Sequence, residues 1–580
     1  MSDQVRGIIF VVVALAILFA WQHFFSPPPP VPGSKPAPAA QSAPASPPAA
    51  APPGAAATAA GEAKPPVAAQ AAAEKAVVVE SPLYRVEFSN HGAVVRSWTL
   101  KKYFTEEKPP QPLELVNADA AKQMGWPFSL LLSDAPQTQL ANDGLYQVSA
   151  SYAQTKESGA AQKAPPASPE ASEFHAPVTL AFHWSDAHLE VTKKFSFDAS
   201  YETLVETSVS LDGKAVPGAA LAWRGGFGDK AVPKQSATVN VFYKLNGKLE
   251  TLQYKKLGIS GNQAQPALQP GPMEFTGLED QFFTAAFLPD GTDLSLWHWT
   301  QDHSIVEEGK PASEPEAQMA AGSPLPGPVR LRAFVGPKDL AILERVKPPL
   351  AELVQFGWTG VIAKPLLFIL QWTYKYVPNY GWAIILLTLV INFAMFPLKM
   401  KSYRSMQKMQ KVGPEIKSIQ DRYKKYPMSD PRKRKMNEEV MAIYQREGIN
   451  PMGSCLPMVF QMPIWWALWR VLNGAIELRH APWLGWIHDL SAMDPYYILP
   501  ILMTITMYLM TKMTPQTTAD PAQQRMMTLM PLMMGFIFFR LSSGLNLYMF
   551  TSNLVGMGQQ WYLNRTHPLP STSKFKKKSE

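Results

Sequence analysis

The chain has 580 residues, 46% of them hydrophobic and 17% charged, so it is long enough for a soluble domain and a membrane domain together. Its net charge of +8 is clustered: Lys399–Glu447 holds fourteen Lys and Arg against six Asp and Glu, and Arg565–Glu580 five against one, while residues 26–356 hold 27 basic and 34 acidic residues. Basic clusters beside hydrophobic segments argue against sequence-specific DNA or RNA binding, and the single cysteine, Cys455, excludes an intrachain disulfide and any Cys-clustered metal site.

Gly7–Phe25 is an apolar run of 19 residues behind Arg6, long enough to span a bilayer. It ends in Trp21-Gln22-His23-Phe24-Phe25, too bulky for a small-residue cleavage site, so residues 1–25 are expected to be an uncleaved signal anchor. Residues 26–76, rich in Pro and Ala, are expected to form an extended linker. From 77 to 346 the pattern changes to short alternating strands, among them Tyr84–Phe88, Ala93–Leu100, Thr179–Trp184, Leu189–Phe197 and Thr203–Leu211. Many short strands without a long helical pattern predict a large all-β sandwich. Gly258-Ile259-Ser260-Gly261 looks like a scrap of a serine-hydrolase motif, but no base accompanies it. We expect no catalytic site, metal or cofactor here.

Residues 347–379 contain the amphipathic stretch Val361–Val377, and 380–564 the apolar segments Tyr380–Leu398, Cys455–Ile476, Tyr496–Thr511, Met526–Leu541 and Gly544–Leu563. The basic hairpin, residues 399–450, interrupts them. Short basic loops beside membrane spans stay in the cytoplasm. That rule lays Val361–Val377 on the periplasmic interface, with Trp372, Tyr374 and Tyr376 at headgroup level. With the anchor it gives six spans, a periplasmic β-domain, and both termini in the cytoplasm.

Thr388, Asn392 and Lys399 fall within about 40° of one another on a helix, forming a polar stripe where polar groups are costly. Gln461 and Asn473, with Asn546 and Asn553, extend the expected polar interior. Trp465, Trp466 and Trp469, and the methionines Met526, Met527, Met530, Met533 and Met534, supply adaptable apolar surface. The sequence holds no P-loop, so ATP hydrolysis by this chain is not expected.

The words Gly453-Ser454-Cys455-Leu456-Pro457, Gln461-Met462-Pro463-Ile464, Trp486-Ile487-His488-Asp489-Leu490-Ser491, Asp494-Pro495-Tyr496-Tyr497-Ile498-Leu499-Pro500 and Ser543-Gly544-Leu545-Asn546-Leu547-Tyr548 closely resemble the YidC-type membrane protein insertases of the Oxa/Alb insertase family. The likeness runs from about Phe356 to Leu563, and the anchor, linker and β-region look like the long Gram-negative form. The resemblance implies a β-supersandwich similar to sugar mutarotases but not catalytic. It also implies a water-filled groove, open to cytoplasm and lipid, in an inner-membrane insertase and chaperone for nascent membrane proteins. The Sec translocon and the ribosome would be its partners, with the bilayer itself. The groove would comprise Thr388, Asn392, Lys399, Gln461 and Asn546, and the apolar slide Trp465, Met530, Met533 and Tyr548. One departure stands out. Where the family usually carries a groove arginine, four residues after a threonine and five before the proline of a Phe-Pro-Leu motif, this chain has Asn392. A positive charge relocated to Lys399 is the expectation that follows.

Two other classes compete: a small-molecule transporter, which would favour inverted repeats that are not evident here, and a membrane-tethered sugar-binding or mutarotase-like protein. The basic end Lys574, Lys576, Lys577 and Lys578 could dock on ribosomal RNA through phosphate contacts. Truncation after Leu563 should then reduce ribosome co-sedimentation in a salt-sensitive way, and unchanged binding at every salt concentration would remove the tail from the account.

Overall fold

Backbone alternation builds the first domain. Along Leu189–Phe197 the residues Leu189, Val191, Phe195 and Phe197 are buried while Glu190, Thr192, Lys194 and Ser196 between them are less so, the period-two pattern of a strand with one face inward. The computed structural model describes residues 69–567 except 106, 108, 153–171, 230–238, 254–265, 308–309, 428–429, 450–455 and 515–520. The expected anchor Gly7–Phe25, the Gly258–Gly261 motif, Cys455 and the basic end Lys574–Lys578 lie outside the described residues.

All five expected strands form, as Tyr84–Ser89, Val94–Phe104, Val178–Ser185, Leu189–Phe197 and Glu202–Leu211. Among the described residues the β-domain holds a ten-stranded sheet and two five-stranded sheets, and the five expected strands lie in the ten-stranded sheet and one of the five-stranded ones. Glu202–Leu211 pairs antiparallel with Leu189–Phe197 on one side and Val329–Pro337 on the other, in the middle of the largest sheet. Between the sheets lies an aromatic core in which Phe88 and Phe195 ring centroids are 4.8 Å apart and Trp98 stacks on Phe128 at 6.3 Å. Lys193 occupies a core position of the alternation. Its ammonium donates to the carbonyls of Gly92 (2.8 Å), Ala93 (3.2 Å) and Phe128 (2.9 Å), and burial pushes its pKa down to about 7. The linker ends sooner than its expected boundary at 76, because Ala69 and Ser185 exchange backbone hydrogen bonds of 3.1 and 3.0 Å. Alanine keeps the N–H donor that the prolines of the linker lack.

The second domain is helical: α1 (Gly360–Tyr376), α2 (Tyr380–Ala394), α3 (Phe396–Arg422), α4 (Pro431–Arg446), α5 (Leu456–Gly474), α6 (Ile498–Met513), α7 (Pro521–Phe538) and α8 (Ser543–Thr566). α1 buries Ala363, Leu366, Leu367 and Leu370 against its neighbours and exposes Val361, Phe368, Trp372 and Tyr376 on the other side. The α3–α4 hairpin has its own small core of Val412, Ile416, Ile419, Ile443 and Ile449, and Arg446 reaches Glu415 across it at 2.7 Å. α8 packs between α2 and α6. Close approach requires glycine at two contacts: a Cβ on Gly381 would lie 2.1 Å from the Trp483 ring, and one on Gly535 2.4 Å from Thr504 Oγ1.

Six spans are not confirmed. Among the described residues no single helix is long and apolar enough to cross a membrane, although α2 and α3 together pass that test with a bend of 52° between them. α6 has 16 residues, a length of roughly 24 Å against a hydrocarbon core of about 30 Å.

Side chains from the loop after α5 join the two domains. Arg479 donates through Nε to Asp229 Oδ2 at 3.0 Å and through a terminal nitrogen to the Phe104 carbonyl at 3.0 Å, with its guanidinium 5.3 Å from the Phe283 ring centre. Both partners of this ion pair are buried, their side chains 3% and 1% exposed. Asp280, inside the β-domain, accepts from the backbone N–H of Asp229 (2.9 Å) and so fixes the loop that presents Asp229. Burial pushes the Asp280 carboxyl up to about 6. Arg470 of α5 donates to the Gln355 carbonyl at 2.7 Å.

Candidate functional site

The bend between α2 and α3 creates the site. Pro397 enters the first turn of α3 without an N–H to offer, and the helix breaks at Met395. Side chains on a helix lean towards its N-terminus, so Lys399 reaches back along α2. Its ammonium donates to Asn392 Oδ1 at 2.8 Å and to Gln559 Oε1 of α8 at 3.1 Å. Asn392, 3% exposed, donates in turn to the Thr388 carbonyl (2.9 Å) and to Ser552 Oγ (3.2 Å). Gln559 Nε2 returns to the Asn392 carbonyl at 3.1 Å. The result is one cationic group embedded in a buried amide and hydroxyl network, where each bond to a charge is worth about 1.5–3 kcal/mol.

Thr388, Asn392 and Lys399 therefore meet, although Lys399 stands on α3, across the 52° bend from the helix that carries the other two, and not on one continuous helical stripe. Thr388 turns its hydroxyl onto the Ile384 carbonyl (2.6 Å) and contributes its backbone oxygen to the network. Gln461 of α5 donates to the Tyr548 hydroxyl at 3.0 Å and couples α5 to α8. Asn546 stands apart. It is fully buried and donates to the carbonyls of Phe538 and Leu541, both at 3.2 Å, tying the end of α7 to the start of α8. Asn553 likewise fastens α8 to the Met503 carbonyl of α6, and Asn473 sits at the domain junction, where its carbonyl accepts from Gln281.

The apolar residues divide in the same way. Met530 and Met533 are 50% and 63% exposed on α7, beside Leu529, Leu532 and Phe536, and form a continuous greasy face. Trp465 is half-buried and packs edge-on against Trp466 at 5.4 Å. Tyr548 is buried at 1% exposure, packed among the neighbouring helices and away from the exposed methionine face. Ser552 and Gln559 were not anticipated. Their seven-residue spacing on the last helix matches that of Asn392 and Lys399, and this is the signal that could have found them. The Trp486 and Asp494 words also meet: the indole N–H donates to Asp494 Oδ1 at 3.0 Å, while Oδ2 accepts from Leu499 N–H (2.7 Å) and caps the start of α6.

Comparison with known proteins supports the same domain pair. The family model for the YidC periplasmic domain matches residues 76–369, and that for the 60Kd inner membrane protein matches residues 372–570. A membrane protein insertase YidC from Citrifermentans bemidjiense is 34% identical over 572 residues, 97% of this chain and 99% of that one. The chain belongs to the YidC membrane protein insertase family. A second YidC insertase, from Geobacter sp. strain M21, is 32% identical over 507 residues, 85% of this chain and 86% of its own. One from Cupriavidus taiwanensis is 40% identical over 292 residues, half of each chain. The crystal structure of an active YidC insertase with its first transmembrane domain resolved aligns over 86% of this chain and 95% of its own at 17% identity and a TM-score of 0.34, too distant to carry an argument. As a YidC insertase, the chain places membrane proteins in the inner membrane and carries a periplasmic domain. It is not an enzyme.

Proposed function

We propose that the Lys399–Asn392–Gln559–Ser552 network is the groove through which this insertase passes the polar flank of a nascent segment, and that Lys399 supplies the positive charge the family usually carries as an arginine. The observation that carries this reading is the Lys399 ammonium seated 2.8 Å from Asn392 Oδ1, the side chain at the family's arginine position. A polar flank leaving water for hydrocarbon loses several kcal/mol per unsatisfied group. Buried amides, a hydroxyl and an ammonium offer partners at that depth and lower the cost. The apolar part of the segment then moves into lipid along Met530, Met533 and Trp465. Depletion of the protein should abolish insertion of small membrane proteins and re-expression should restore it; normal insertion after depletion would overturn the reading.

The same reading places the hairpin and both termini in the cytoplasm, residues 26–356 in the periplasm, and six spans between them, with α1 lying on the periplasmic interface. The charge asymmetry and the exposed apolar face of α1 support it. It also takes the ribosome and the Sec translocon as partners on the cytoplasmic and lateral sides. In a Cys455→Ser background, a cysteine introduced at Lys424 should resist an impermeant reagent in intact cells and react after lysis. Labelling in intact cells would invert the topology.

A further inference from the structure

Where the β-domain meets the helices, a cavity of about 500 Å³ is lined by Arg470 and Arg540 from the helical side and by Glu279, Asp280 and Lys338 from the β-side. The acids in it already have partners. Lys338 holds Glu279 at 2.9 Å, and the Asp280 carboxylate accepts from the backbone N–H groups of Asp229, Phe282 and Phe283. Among the described residues no carboxylate lies within ion-pair distance of Arg470 or Arg540. Ser542 also lines the cavity. It is 3% exposed, and its hydroxyl has no hydrogen-bond partner among the described residues. This serine precedes α8, a 24-residue helix whose N-terminal dipole favours an anion at this point.

A second cavity, of about 540 Å³, adjoins the first and shares Arg540 and Met493 with it. Its other walls are Tyr497, Phe536 and Phe539, with Phe536 76% exposed at the outer end. The arginine-lined cavity therefore adjoins an aromatic groove at the start of α6 and the end of α7. Polar head and apolar tails in that order describe one ligand class.

We propose that this pair of cavities binds a diacyl phospholipid with an anionic headgroup, its phosphate between Arg540, Arg470 and the Ser542 hydroxyl, and its acyl chains on Tyr497, Phe536 and Phe539. The headgroup sits at the seam of the two domains, and the tails extend along the helices towards the bilayer. A zwitterionic headgroup is disfavoured, since it would bring an ammonium towards two unneutralised guanidiniums. The proposal rests on the periplasmic placement of the β-domain and is independent of the Lys399 groove.

The test is native mass spectrometry of the full chain in detergent, titrated with phosphatidylglycerol, with phosphatidylcholine of the same chains, and with glycerol 3-phosphate. The wild type should retain one phosphatidylglycerol. Loss of a charge-assisted contact should weaken retention about tenfold in Arg540→Gln, with a smaller loss in the milder Ser542→Ala. Arg565→Gln, at the far end of α8, should bind as the wild type does. Equal phosphatidylglycerol retention by wild type and Arg540→Gln would overturn the site. Equal retention of phosphatidylcholine would remove the headgroup assignment, and equal binding of glycerol 3-phosphate would replace the lipid by a free anion.

Discussion

Arg479→Ala should unfasten the periplasmic β-domain from the helices. The substitution leaves Asp229 buried at the junction without its guanidinium, and breaking a buried pair by removing one partner costs about 3–5 kcal/mol. Thermal unfolding in detergent should show the loss, and limited proteolysis should open the junction near Phe104, whose carbonyl the same guanidinium holds. Asp229→Ala alone should also destabilise. The double variant should lose less than the sum of the two, because no charge is then stranded. Strictly additive losses would mean that the pair does not couple the domains and that apolar contacts hold the seam.

Lys399→Ala should cut insertion of substrates with acidic flanks about tenfold, the equivalent of one charge-assisted hydrogen bond, and leave neutral flanks nearly unaffected. Asn392→Ala should reduce both kinds alike, since it takes away a neutral partner and a seat for the ammonium while leaving the charge. Lys399→Arg should keep the preference for acidic flanks. Returning the charge to the family's usual place, in Asn392→Arg combined with Lys399→Ala, should restore it. Acidic substrates inserting equally well with and without Lys399 would sink the relocated charge and leave a groove that works by hydration.

Local pattern was enough for much of this protein. Period-two burial identified Tyr84–Ser89 and Leu189–Phe197 as strands, because each strand has one face against a core and the pattern repeats within a few residues. Helical spacing put Thr388 and Asn392 on one face of α2, and charge clustering separated the hairpin from the apolar helices. The motif words of the C-terminal half carried the family. Those signals lie within a single element or beside it.

Other features depended on elements far apart in the chain. Lys193 keeps strand alternation yet needs carbonyls from Gly92, Ala93 and Phe128, which only sheet packing brings to its ammonium. Asn546 and Tyr548 share a motif with Ser543 and Gly544. Whether they line a groove or stitch helices together depends on how α8 is rotated between α2 and α6, and packing decides that rotation. The Asp229–Arg479 pair spans 250 residues and two domains, with no local pattern to announce it. The sequence by itself determined the strands, the polar stripe, the charge distribution and the family. Tertiary structure decided which polar groups meet, because a hydrogen bond or an ion pair is set by distances of about 3 Å, and the bend at Met395 brings Lys399 within that distance of Asn392.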